Sequence, residues 1–205
     1  MSKKPIIVFE GIEGSGKSYH INSVANYLKK KNKSFIRIRE PGGSLNSEKI
    51  RKIILNNKST FNKNTDLLLY MAARSENIKL INDNIGKKII LIDRFIDSTI
   101  AYQHYGMGVN LKLIQSINNF LLQDIKITFT FLNIVNIKNM KLRLLSRKKL
   151  NRYDTFKSKF YEKVQKGFIK LLQKNPRCYM KINSNLEIIY NKKIILTKID
   201  DLIKW

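Results

Sequence analysis

Residues Gly11-Ile12-Glu13-Gly14-Ser15-Gly16-Lys17-Ser18 match G-x-x-x-x-G-K-[ST] at every fixed position. The context restricts the chain as much as the motif does. The apolar run Ile6-Ile7-Val8-Phe9 before it predicts a buried parallel strand. Ile21, Val24, Ala25 and Leu28 after it fall at the i, i+3, i+4, i+7 spacing of a helix over 17–31. A strand, a glycine-rich loop and a helix in that order form a cradle for phosphates. Glycines let successive backbone N–H groups turn inward without Cβ clashes. The helix start adds positive potential. Lys17 brings a charge to the β- and γ-phosphates, and the Ser18 hydroxyl is a hard oxygen ligand for Mg²⁺. The loop predicts binding of a nucleoside triphosphate. By itself it does not choose between a transferase, an ATPase and a switch.

Further along, strand-like segments alternate with helical ones. Phe35–Ile38, Lys88–Ile92, Ile127–Leu132 and Tyr179–Ile182 read as strands. Segments 47–55, 66–84, 111–122, 138–146, 156–173 and, more weakly, 195–203 read as helices, with Gly86 as the cap of the second. The alternation predicts an α/β fold in three layers, a five-stranded parallel sheet flanked by helices. With 205 residues and no linker-like segment, the expectation is one domain over 1–205. No apolar run reaches membrane-span length and the start is too short for a signal peptide. A single cysteine, Cys178, excludes a disulfide scaffold and a Cys-based zinc site. A soluble, cytoplasmic protein is expected.

The charge is strongly one-sided: 40 Lys and Arg against 15 Asp and Glu, or +25. Lys outnumbers Arg more than threefold, and no basic run exceeds Lys29-Lys30-Lys31 and Arg147-Lys148-Lys149. The charge therefore reads as diffuse, although it still favours phosphate-bearing ligands. No specific nucleic acid is expected as partner. His20 and His104 lack the spacing of a metal or catalytic pair.

With acids scarce, their positions carry information. Glu10 and Glu13 flank the loop, Glu40 sits in Arg39-Glu40-Pro41-Gly42-Gly43, and Asp93-Arg94 follows the third strand. In a parallel sheet the carboxyl ends of the strands face one crevice. Three strand ends thus deliver acids and arginines opposite the triphosphate, which suits a second phosphorylated substrate.

Phe9-Glu10-Gly11 through Ser18, Arg39-Glu40-Pro41-Gly42-Gly43, Ala72-Ala73-Arg74, and Asp93-Arg94-Phe95-x-x-Ser98-Thr99-x-Ala101-Tyr102-Gln103 together resemble thymidylate kinases of the bacterial type. The resemblance runs from about residue 5 to about 170. It implies a P-loop NTPase-type fold with a short basic lid at about 146–155, phosphoryl transfer from ATP·Mg²⁺ to dTMP, and a homodimer. By position it implies that Arg94 and Arg51 clamp the acceptor phosphate, with Tyr70 stacking on thymine. Arg74 would donate to thymine O4, with Thr99 and Gln103 at the polar edge of the base. Tyr102 would pack against C2′ and Glu13 contact the 3′-OH, with Glu40, Pro41 and Ser98 at the same pocket. Asp93 would orient Mg²⁺ waters beside Ser18, and Arg143 would lie over adenine. The lid would supply the catalytic arginine, Arg152 before Arg147. The sequence departs from the family at Met107, Asn133 and Asn151, where a loop arginine, a strand-end acid and the usual lid acid are missing. Two alternatives stay open from the residues: a kinase for another nucleoside monophosphate or a deoxynucleoside, and an ATP-regulated nucleic-acid-binding module.

Overall fold

The computed structural model describes residues 4–147 and 149–204. Lys148, in the middle of the basic run, lies outside the described residues. Five strands, β1 (Ile6–Gly11), β2 (Phe35–Arg39), β3 (Ile89–Asp93), β4 (Phe129–Ile134) and β5 (Tyr179–Asn183), form one sheet of order β2-β3-β1-β4-β5. Every pairing is parallel, with Phe9 opposite Asp93 and Gly11 opposite Asn133. All carboxyl ends therefore lie on one edge, as the alternating pattern predicts.

Alternation along β1 builds two cores. Ile7 and Phe9 face one side, and meet Ile21, Val24 and Leu28 of α1 (Lys17–Lys30) and Ile195 and Ile199 of the last helix. Ile6 and Val8 face the other, with Ile81 of α3 (Lys63–Asn82) and Leu122 of α5 (Leu111–Leu122). The last helix is α8 (Ile188–Ile203), and between these helices come α2 (Leu45–Leu55), α4 (Ile96–Thr99), α6 (Ile137–Leu145) and α7 (Ser158–Lys174). A third core of Ile12, Tyr102, Tyr153, Val164 and Phe168 lies beneath the loops at the carboxyl edge and ties them to α7.

The element expectations fail in four places. Gly86 does not cap the helix: Asp83 does, and Gly86 takes φ +76° at the tip of the following turn. The fourth strand sits two residues further on than the Thr- and Phe-rich run suggests. Helix α8 starts at Ile188, seven residues earlier than read, because exposed Ile188, Ile189 and Tyr190 break the apolar periodicity. The fourth is α4, which continues as a π-helical segment (Ile100–Gly106) that the sequence does not announce. Ile96, Ser98, Thr99 and Ile100 are weak helix formers, so tertiary contacts decide that turn.

Candidate active site

The carboxyl edge of the sheet opens into a cavity. Glu13, Lys17 and Ser18 line it from the loop after β1, and Arg39, Glu40 and Pro41 from the end of β2. Asp93, Arg94 and Ser98 enter after β3, Tyr102 and Gln103 from the π-helical segment, and Arg51 and Tyr70 from α2 and α3. Arg147, Asn151 and Tyr153 close it from the segment after α6.

The phosphate loop has the shape its glycines predict. Gly16 takes φ +83° as the cap of α1, and a Cβ on Gly11 would collide with the carbonyl oxygen of Asn133. Lys17 is buried, with Nζ donating to Gly11 O (2.8 Å), Ile12 O (2.9 Å) and Ser15 Oγ (3.3 Å). Burial, then the Arg94 charge, pulls its pKa down to about 7. Arg143 braces the loop from outside. It donates to Gly14 O (2.9 Å) and, at the end of β5, to Ser184 O (2.6 Å). His20 is buried on α1 as a packing residue, its pKa pushed down to about 4 by burial and by Arg143.

On the opposite side, Arg94 adopts φ +66°, an unfavourable backbone state for a side chain of its size. That conformation directs its guanidinium back to the loop, where it donates to Gly11 O (2.9 Å), Tyr102 Oη (3.2 Å) and Glu13 Oε1 (2.8 Å). Tyr102 Oη in turn donates to Glu13 Oε2 (2.5 Å). Arg51 donates to Pro41 O at 2.5 Å. Gln103 Nε2 donates to Asp66 (2.9 Å), and its Oε1 is buried with no partner among the described residues.

Three residues read as cleft side chains face inward. Glu10 is fully buried and accepts from Phe95 N (2.8 Å), Ser98 N (3.2 Å) and Ser98 Oγ (2.5 Å), so it caps α4 from across the sheet. Arg74 is 1% exposed and lines no part of the cavity. Its donors go to Glu40 Oε2 (2.8 Å), Asn118 Oδ1 (2.7 Å) and Thr99 Oγ1 (2.9 Å). Thr99, also absent from the lining, is thereby committed to Arg74. In this structure Arg74 and Thr99 bond to protein partners behind the cavity wall. Burial raises the Glu40 carboxyl pKa against the opposing pull of Arg74.

The segment after α6 places its two described arginines differently. Arg147 lines the cavity, held by Asp154 at 2.6 Å. Arg152 does not line it: its guanidinium is ion-paired with Asp66 of α3 and lies over the Phe61 ring at 5.2 Å. Asn151 and Asp154 form a reciprocal cap around the 3₁₀ turn Arg152–Thr155. The sequence reading missed Asp66 and Tyr153. Their signal was present in the scarcity of acids and in the step Arg152-Tyr153-Asp154, but only the fold brings α3 to that step.

A five-stranded parallel sheet with a phosphate loop after its central strand, and charged side chains from the other strand ends lining the same cavity, defines a P-loop NTPase fold. The chain belongs to the thymidylate kinase family, whose model matches residues 9–193. It is 36% identical to the thymidylate kinase of Clostridium novyi over 192 residues, covering 90% of this chain and 93% of that one. It is 34% identical to the thymidylate kinase of Staphylococcus epidermidis over 202 residues, 97% of each. The structure superposes on a thymidylate kinase from Ehrlichia chaffeensis with a TM-score of 0.78 and 30% identity, over 96% of this chain and 98% of the other. The reaction is the ATP-dependent phosphorylation of dTMP to dTDP.

Proposed function

We propose that ATP and dTMP meet in the described cavity, with the triphosphate on the Gly11–Ser18 loop and dTMP between Arg94, Tyr70 and Gln103. The observation that carries this reading is that one cavity is lined by Lys17 and Ser18 on one side and by Arg51 and Arg94 on the other. A dTMP phosphate oxygen attacks the γ-phosphorus, the bond to the β–γ bridging oxygen breaks, and ADP leaves. The chain needs no nucleophile of its own and contributes alignment and positive charge. Lys17 follows the transferred group, and Arg51 and Arg94 hold the acceptor phosphate, the forked guanidinium of Arg94 suiting two oxygens. Tyr70 stacks on the base. Gln103 Oε1, a buried acceptor without a partner among the described residues, takes a donor such as thymine N3–H. Arg74 and Thr99 hold this wall from behind, through Glu40 and Asn118. Tyr102, fixed by Glu13, packs against the sugar, with Pro41 and Ser98 completing the pocket. Arg143, spanning the loop and the end of β5, is placed to lie along adenine.

The exposed hydroxyl of Ser18 and the carboxylate of Asp93 fit Mg²⁺, a hard ion that keeps waters and takes few protein oxygens when phosphates share it. Among the described residues no group of three or more His, Cys, Asp or Glu could hold a metal on its own. Mg²⁺ there would neutralise charge on the β- and γ-oxygens. Residues 146–155 act as the lid of this single-domain kinase, with Arg147 as the arginine nearest the chemistry.

The partner copy fits the outer face of α5, where Leu113 and Phe120, seven residues apart, are 45% and 77% exposed. Phe120→Lys should convert a dimer to a monomer in light scattering, and a parent that is already monomeric refutes this contact. No helix of the described residues is long and apolar enough to cross a membrane. We place the enzyme in the cytoplasm, where the exposed Cys178 thiol stays reduced.

A coupled assay offering dTMP, dUMP, dCMP, dGMP and thymidine tests the reading. dTMP should be the fastest acceptor, and Lys17→Ala should lower kcat by roughly 10²-fold or more. Faster turnover of thymidine or dCMP, or near-normal turnover without Lys17, overturns it.

A further inference from the structure

Asp66 lies in the first turn of α3, is 1% exposed, and is not among the residues that line the described cavity. It nevertheless joins two parts of the site. Its Oδ2 accepts from Gln103 Nε2 (2.9 Å) and from Tyr153 Oη (2.5 Å), and its Oδ1 accepts from Arg152. Gln103 lines the base end of the cavity, whereas Arg152 and Tyr153 belong to the lid turn. Tyr153 also stands edge-on to Tyr70 (5.9 Å between centroids) and Tyr102 (5.8 Å).

We infer that Asp66 is a positioning residue that fixes which way the Gln103 amide faces and links the occupied base pocket to the seated lid. The inference rests on the proposed placement of the base beside Gln103. An ionised carboxylate can only accept hydrogen bonds, so it holds the NH₂ end of Gln103 to itself. The carbonyl end, Oε1, is then the one left without a partner and available to the base. Thymine offers N3–H to that oxygen, whereas cytosine offers a bare N3 acceptor. Two facing acceptors in a buried site are rejected strongly. The same carboxylate is the anchor for Arg152 and Tyr153. A ligand that pulls on Gln103 therefore acts on the group that seats the lid, through one shared acceptor.

Two measurements test this. In the unmodified enzyme, dTMP should slow amide hydrogen exchange over residues 150–155, and dCMP at a concentration that fills the pocket equally should do so much less. Equal protection by the two nucleotides overturns the coupling. Asp66→Asn keeps the shape but offers one acceptor instead of two, so either Gln103 turns or the lid is released. The kcat/KM preference for dTMP over dCMP should narrow by roughly tenfold or more, and kcat for dTMP should fall. Tyr153→Phe removes the lid's hydroxyl donor to Asp66 and a long contact from Gln103 Nε2 (3.4 Å), but keeps the Asp66 bond that orients that amide, so it should lower kcat while leaving that preference in place. A folded Asp66→Asn enzyme with the parent's preference refutes the positioning role, as does a Tyr153→Phe enzyme whose preference collapses. Failure of the parent to prefer dTMP at all would instead refute the placement of the base.

Discussion

Burial of a carboxylate between helix donors and a second acid, Asp97, gives Glu10 an unusual titration. Burial and then the Asp97 charge raise its pKa from the ordinary 4.5 to about 7. The folded state thus holds a proton that the unfolded chain has lost. This contribution to stability is full below about pH 4.5 and is lost as pH rises through about 7. Gln mimics the protonated side chain, so Glu10→Gln should melt above the parent at pH 8 and close to it at pH 5. A melting difference that does not change with pH removes Glu10 as the cause. The lid arginines give a second test at this scale. Arg147 faces the cavity and Arg152 is tied to Asp66. Arg147→Ala should therefore cost more in kcat, roughly 10³-fold by analogy with arginines supplied in other phosphoryl transfers. Arg152→Ala should act more weakly, by loosening the lid. Single-turnover rates separate the two, and the reverse ranking would return Arg152 to the chemistry. Lys17, Ser18 and Arg94 could be placed at the cavity because a motif or a strand end marks each one, whereas Arg51, inside α2, was placed only by the family resemblance. The partners of Arg74 were not readable, because its chemistry suits a base edge as well as it suits Glu40, and only the fold brings Glu40, Asn118 and Thr99 to it.

The elements meet at the π-helical segment. Its wider turn lets Tyr105 and Gly106 pack against α7, and glycine is needed on both sides of that contact. A Cβ on Gly167 would lie 2.5–2.9 Å from Cδ2, Cγ and Cβ of Tyr105. Those atoms are at the root of the ring, which cannot swing aside cheaply. Alanine in a helix interior gains about 1 kcal/mol over glycine. Overpacking costs about 1–3 kcal/mol, so Gly167→Ala should be net destabilising and lower the melting temperature by a few degrees. An unchanged or raised melting temperature would mean that α7 and the π-helical segment can separate without loss. This contact was not legible beforehand, because a π-helical turn has no periodicity that a weak helix former would display. Helices α1 and α5, by contrast, follow their apolar spacing closely, since each buries one continuous stripe.

For the whole molecule the open question is the net charge of +25. Lysines dominate it, and no basic run longer than three residues stands in the sequence. A diffuse field of this kind attracts polyanions through counterion release and loses them steeply with salt. Affinity for a random single-stranded oligonucleotide should fade by physiological ionic strength, while dTMP kinase activity persists there. Saturable binding at that salt, with a slope of several counterions, would restore nucleic acid as a real partner.

Local pattern was enough for the sheet, its parallel sense, the phosphate cradle and the family of the chain. A parallel sheet follows from alternating apolar runs and helices, and a phosphate loop is a local backbone conformation set by its own glycines and lysine. What the tertiary structure alone decided is which charged side chains face the cavity. Glu10, Arg74 and Arg152 are residue types as suited to the cavity as Glu13, Arg94 and Arg147, yet they point inward. Each found a buried partner from a distant element: the α4 backbone for Glu10, Glu40 and Asn118 for Arg74, and Asp66 for Arg152. A buried charge without such a partner is prohibitively costly, and the partners are brought together only when the chain closes.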